Sequence, residues 1–321
     1  GAVPAQQPKR RGWIVGLAAV LTVLILGVAT IGSCTSVFTS SMGAFSYESP
    51  SWADTVTGDT VGIINISGTI QYDGTTCSPE GLKAQLDVAA ENKHIKAVVL
   101  RVNSGGGTAT AGEEMAAYVR EFSESSGKPV VVSSASINAS AAYEISSQAD
   151  FIYTAKTTAI GAIGTALQVT DLSGLLDKLG ISIENVTSSD SKDSSYGTRP
   201  LTEEERAYYQ NMVNQINETF IQTVAEGRDM TVEEVRALAT GLTFTGMEAV
   251  ENGLADEIGT REDAVAKAAE LANTTAYKTV KLDNPSSSLS DLLNLMSESR
   301  LSADDLAQAL KELENDGSLA R

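Results

Sequence analysis

The chain has 321 residues, 42% of them hydrophobic, and carries 41 acidic against 23 basic side chains for a formal net charge of -18. So acidic a body repels phosphate backbones, which excludes a nucleic-acid-binding role. One histidine, His94, and two cysteines, Cys34 and Cys77, exclude a zinc site of the usual Cys/His kind.

Residues 1–12 are polar and basic, with Lys9, Arg10 and Arg11 as the only charges before residue 34. Residues 13–33 follow without a charge, which is enough apolar chain to cross a bilayer as a helix. The basic cluster predicts a cytoplasmic N-terminus and an extracytoplasmic body. A cleaved signal sequence is the competing reading. In one variant of it, Ile31-Gly32-Ser33-Cys34 is a loose lipobox and Cys34 is lipidated. Residues 34–58, rich in Ser, Thr and Gly, read as a spacer.

The folded body begins near Asp59. Apolar runs at 61–66, 97–102, 130–133 and 151–153 read as strands, and helical spacing marks 78–92, 110–125 and 141–149. This alternation predicts an α/β fold with a mostly parallel sheet and flanking helices. Farther on, 172–179 reads as an amphipathic helix and Ile181–Val186 as a strand. Residues 188–198 read as a polar loop. A long helix starts behind a capping box made by Thr202 and Glu205 and runs to about Gly227. Shorter helices are expected at 231–239, 246–252 and 262–271. The domain is expected to span 59–275, with a tail of short helices over 276–321.

Two stretches carry candidate chemistry. Ser133–Tyr143 leads from a strand into a helix through small residues and holds Ser140 at the turn. A hydroxyl there is exposed, and backbone N–H groups beside it can face an oxyanion. Ser/Ala turns with Ser as an N-cap are also ordinary structure. The second stretch, Arg101-Val102-Asn103-Ser104-Gly105-Gly106-Gly107, ends a strand with three glycines that let a backbone approach a ligand closely. It is neither a Walker A loop nor a GxGxxG fingerprint. If Ser140 is a nucleophile, its base must come from few residues. His94 lies in a polar turn before a strand, so lysine is the alternative, with Lys192, Lys156 and Lys178 as candidates. Composition alone makes Lys192 an ordinary loop residue between two aspartates.

Several motifs, in order over roughly residues 60–270, resemble the signal peptide peptidase A family of membrane-anchored serine peptidases (peptidase family S49, ClpP/crotonase-like fold). They are the 101–107 loop, Ala135–Tyr143, Ala159-Ile160-Gly161-Ala162-Ile163-Gly164, and Ser191-Lys192-Asp193. Two more are Arg199-Pro200-Leu201-Thr202-Glu203-Glu204-Glu205-Arg206, and Phe244-Thr245-Gly246-Met247-Glu248-Ala249 with Gly253-Leu254-Ala255-Asp256. The chain departs from the family pattern at Ala141-Ala142, where Gly-Gly is usual, at Gly105 in place of proline, and at Ser191 in place of an aromatic residue.

The resemblance implies a short, single-domain, anchored serine endopeptidase. Ser140 would be the nucleophile and Lys192 the base. Gly106, Gly107 and Ala141 would offer oxyanion donors, and no cofactor or metal is called for. It also implies a ring-like homo-oligomer in which serine and lysine come from neighbouring chains. Its substrates would be released signal peptides and unfolded apolar segments at the extracytoplasmic membrane face. Two other classes remain open: a catalytically impaired membrane scaffold, for which Ala141-Ala142 is the only sequence support, and a crotonase-like acyl-CoA enzyme, which the anchor and the acidic surface disfavour.

Overall fold

The computed structural model describes residues 56–282. The anchor expected at 13–33, the lipobox, most of the spacer and most of the tail lie outside the described residues. In chain order the elements are β1 (Thr60–Ser67), α1 (Pro79–Glu91), β2 (Ile95–Ser104), α2 (Ala109–Ser126), β3 (Val130–Ala139), α3 (Ala141–Ser146), β4 (Phe151–Thr154), β5 (Ala159–Gly161), α4 (Ser173–Lys178), α5 (Glu203–Gly227), α6 (Val232–Leu238), β6 (Thr243–Thr245), α7 (Gly246–Glu251), β7 (Glu257–Ile258), α8 (Arg261–Leu271) and β8 (Lys278–Lys281).

Strands β1 to β3 are apolar on both faces. Ile64, Ile66, Val98, Leu100, Val102, Val130 and Val132 enter one core, while Val61, Ala97, Val99 and Val131 enter a second. Alternation with both sets buried requires cover on both sides of the sheet. The larger core takes Leu82 and Leu86 of α1, Met115 and Val119 of α2, and Tyr143 and Ile145 of α3. The second takes Ala264, Val265, Ala268 and Ala269 of α8.

The strands run in the order β6-β5-β3-β2-β1-β8. Every pairing is parallel except β5 with β6. Strand β3 forks the sheet. Its first half, Val131–Ser133, pairs with β4, and its second half, Ile137–Ala139, pairs with β5. That fork opens the sheet beside the carboxyl end of β3, where ligands bind in open α/β sheets. The mostly parallel α/β architecture expected from the sequence is the one present.

Helix ends are fixed by local chemistry. Ser78 Oγ accepts the Gly81 N–H at 3.0 Å ahead of Pro79, which opens α1. At the other end of α1, Lys128 Nζ donates to the carbonyls of Ala89, Ala90 and Asn92 at 2.6–2.9 Å. A cation there satisfies carbonyls the helix leaves unpaired and opposes its dipole. Helices α5 to α8 each start behind a threonine capping box: Thr202 with Glu205, Thr231 with Glu234, Thr245 with Glu248, and Thr260 with Asp263.

Two sequence expectations change. Ile181–Val186 is not a strand, for it joins no sheet and Ile181, Ile183 and Val186 are exposed. Among the described residues, its alternating pattern pairs with no strand. The sheet also reaches beyond residue 275, because β8 pairs with β1.

Candidate active site

Strand β3 ends against a set of buried hydroxyls and an amide. Past a register shift, Ser104 of β2 stands opposite Asn138 of β3. Asn138 is fully buried, its Nδ2 donating to Ser134 Oγ at 3.0 Å and its Oδ1 accepting from Ser146 Oγ at 3.1 Å. Ser104 Oγ donates to the Gly68 carbonyl at 2.6 Å and accepts the Gly106 N–H at 3.1 Å. These bonds satisfy polar groups that burial would otherwise penalise, and they fix the strand end.

The next residue is Ser140, half-buried, with φ 54° and ψ -130°. A non-glycine residue there costs on the order of 1–3 kcal/mol and persists only where its surroundings enforce it. They do so through the backbone. The Ser140 N–H donates to the Gly161 carbonyl at 2.8 Å, and its carbonyl accepts the N–H groups of Tyr143 and Glu144 at 2.8 and 3.0 Å. The hydroxyl makes no capping bond to α3. Tyr143, fully buried, anchors the helix by donating its hydroxyl to the Leu254 carbonyl at 2.8 Å.

The glycine loop lies directly on this turn. A Cβ on Gly106, whose φ is +97°, would stand 2.8 Å from Ser140 Cβ and 3.0 Å from the Ala141 nitrogen. A Cβ on Gly107 would stand 2.0 Å from the Ile70 carbonyl oxygen. The backbone of Ile70 bonds on both sides of Gly107, to the Gly106 carbonyl and the Thr108 N–H. At Gly105 a Cβ would find ordinary contact, 3.6 Å from Ile137, so a side chain fits where the family pattern has proline. The Gly106 amide is taken by Ser104. Those of Gly107 and Ala141 enter no hydrogen bond among the described residues.

The methyls of Ala141 and Ala142 point into the core. Both residues are buried, and Ala141 Cβ packs so closely on α2 that a Cβ on Gly112 would lie 2.6 Å from it. They leave the exposed side of the turn open. Behind Ser140 lies a group the sequence did not single out. Glu144 of α3 is 4% exposed, and burial, with nearby Glu113 in support, pushes its carboxyl up to about 8.

The lysine candidates stand apart from this geometry. Lys156, Lys178 and Lys192 are all exposed, and none bonds to Ser140 among the described residues. His94 precedes β2 while Ser140 follows β3, at the opposite sheet end, roughly 30 Å away at the rise of a ten-residue strand. Lys192 sits in a turn whose neighbours are tied down. Arg199 donates to Asp193 Oδ1 at 2.6 and 3.1 Å, to both Glu205 oxygens at 2.9 and 2.8 Å, and to the Asp190 carbonyl at 3.1 Å. The guanidinium holds the Asp193 carboxyl below the usual range and brings that of Glu205 to about 2. Among the described residues, no group of three or more Cys, His, Asp or Glu is placed to hold a metal. Among those residues, no helix is long and apolar enough to cross a membrane.

A strained serine stands on a strand-to-helix turn of a parallel sheet with a glycine loop against it, a geometry like that of a nucleophile elbow. A model described as Peptidase family S49 matches residues 123–275. A Synechocystis sp. protein named as a candidate protease is 36% identical over 193 residues, covering 60% of this chain and 69% of that one. A Methanocaldococcus jannaschii candidate protease is 37% identical over 59% of this chain and 60% of its own. Protease 4 of Salmonella typhi is 36% identical over 67% of this chain, which spans 35% of that enzyme. Among solved structures, a variant of a membrane-bound stomatin-specific protease covers 71% of this chain and all of its own at 15% identity and a TM-score of 0.45. The chain belongs to peptidase family S49.

Proposed function

We propose that the protein is a serine endopeptidase of the signal peptide peptidase type, with Ser140 as nucleophile and Lys192 as general base. The observation that carries the reading is the strained Ser140 turn with Gly106 laid against it. Ser140 Oγ attacks a peptide carbonyl carbon while the neutral Lys192 amine takes its proton. The carbonyl oxygen becomes an oxyanion facing the Gly107 and Ala141 amides, and loss of one such donor costs acyl-transfer enzymes roughly 3–4 kcal/mol. Collapse breaks the C–N bond, and the lysine returns the proton to the leaving amine. Water then attacks the acyl-enzyme, giving its proton to Lys192 and releasing the carboxyl fragment with Ser140 restored.

Lys192 belongs, in this proposal, to the neighbouring subunit of a ring-like homo-oligomer. Support comes from segment 166–186, where Leu167, Leu172, Leu175, Leu179, Ile183 and Val186 are each 46–94% exposed. Apolar surface of that extent asks for a cover, and the segment leads directly to Lys192. The substrates proposed are cleaved signal peptides and other unfolded apolar segments. Residues 13–33 would anchor the chain with its body at the extracytoplasmic face. A catalytically impaired scaffold gains no support, since the Ala141 and Ala142 methyls are buried in the core.

The test is cleavage of a fluorogenic apolar peptide by the full chain across pH. Activity is expected to rise toward alkaline pH and to vanish in Ser140→Ala and Lys192→Ala. Retained activity in Ser140→Ala would refute the proposal.

A further inference from the structure

We infer that Arg199, together with Asp193 and Glu205, is a positioning residue for Lys192, holding the turn from which that lysine reaches a substrate-bound serine. The inference rests on the Ser-Lys reading above. Around Lys192 the chain is fixed at nearly every neighbour. The Asp190 carbonyl accepts from Arg199. Asp193 takes two bonds from Arg199 on one oxygen and one from Asn185 Nδ2, at 2.9 Å, on the other. The Ser194 and Tyr209 hydroxyls are bonded at 2.6 Å. Lys192 is exposed, and its N–H closes the turn on the Ser189 carbonyl at 3.2 Å.

The clamp is anchored where it cannot drift. Glu205 is 5% exposed and lies in the first turn of α5, where it also closes the capping box by accepting the Thr202 N–H at 2.9 Å. Arg199 therefore joins the lysine turn to the start of a 25-residue helix. A planar fork meeting two carboxylates sets direction as well as distance, which a lysine at 199 cannot reproduce. Asp193 spends its side chain on the clamp and Ser194 its hydroxyl on Tyr209, while the Lys192 ammonium makes no bond among the described residues. A base on a segment with no core of its own needs such a frame, because a misplacement of about 1 Å costs on the order of 100-fold in rate.

The experiment compares the full chain with Lys192→Ala, Arg199→Gln, Arg199→Lys, Asp193→Asn and a distant control, Arg236→Gln, which breaks an exposed pair with Glu218. Melting temperature, kcat and KM are followed across pH on a fluorogenic apolar peptide. Arg199→Gln is expected to lower kcat by about 10- to 100-fold with KM within about twofold, and to displace the alkaline limb of the profile. Arg199→Lys is expected to restore part of kcat, and Arg236→Gln to match the parent. If Arg199→Gln fails to fold, Asp193→Asn, which removes charge without volume, is decided by the same readouts. An unchanged kcat and limb in Arg199→Gln, with Lys192→Ala inactive, would overturn the inference and leave the Ser-Lys reading standing. So would a loss of activity that tracks melting temperature while the limb stays fixed. An active Lys192→Ala would refute the Ser-Lys reading itself, and the inference with it.

Discussion

The serine turn and the lysine turn are held by opposite means. Ser140 sits where β3, β5, α2 and α3 converge, and its neighbours Ala139, Ala141 and Ala142 are buried. Lys192 follows a segment in which α4 buries no residue, and its turn is ordered by charge-assisted bonds to Arg199. Backbone bonds backed by close packing enforce the strained turn at the first, because a close-packed interior has nowhere to relax. Directional polar bonds suffice at the second, where the backbone is unstrained and Lys192 itself is exposed.

The contrast is broken most severely at Gly107. Gly107→Ala puts a methyl 2.0 Å from the Ile70 carbonyl, a backbone atom that cannot step aside. A loss of about 3 kcal/mol or more of unfolding free energy is expected in denaturant titration. Gly105→Ala, with ordinary contact at the same loop, is expected to stay within about 1 kcal/mol. Next comes Gly106→Ala, which meets both a positive φ and Ser140 Cβ at 2.8 Å. About a 100-fold drop in kcat/KM is expected, with a smaller loss of stability.

A pH-dependent effect of intermediate size belongs to Glu144. Its carboxyl is raised to about 8, above its ordinary value, so the folded state holds the proton more tightly than the unfolded chain does. Its contribution is therefore complete at acid pH and is lost as pH rises toward 8. Glu144→Gln is expected to flatten the fall in melting temperature between about pH 5 and pH 8. An equal slope in parent and variant would contradict the burial argument. The smallest effect on the stability of the chain is expected on the other side of the comparison. Leu179→Asp, at a residue 63% exposed, should change unfolding free energy by no more than about 0.5 kcal/mol. By sedimentation, the same substitution should weaken the proposed ring.

What the sequence revealed follows the same divide. Strands β1 to β4 and the helices packed on them were legible because apolar alternation and helical spacing are local signals. Ser140 was legible from its place between an apolar run and a helix. Strands β5 to β8 were not, since each has only two to four residues and exists through distant pairing. Ile181–Val186 was misread because alternation records a face to bury but names no partner. Glu144 was missed since every residue of α3 is buried, leaving no polar face on which to expect an acid. Arg199 and Glu205 were visible as a motif at a helix start, yet their clamp on Asp193 depends on a loop returning to that helix.

The closing of the sheet by β8 has a consequence for synthesis. β1 is the first described strand to leave the ribosome, and among the described residues its outer edge is filled by Lys278–Lys281. A hydrogen bond between Thr274 and Asp59 seals the same seam across 215 positions. At typical translation speeds that interval is roughly 10–40 s, far longer than a strand needs to find a wrong neighbour. Throughout it the nascent chain carries the run Val61–Ile66 with one bare edge, a template for pairing with other chains. A chain ended at residue 275 would keep the Ser140 turn and the lysine clamp, but that edge would stay open for good.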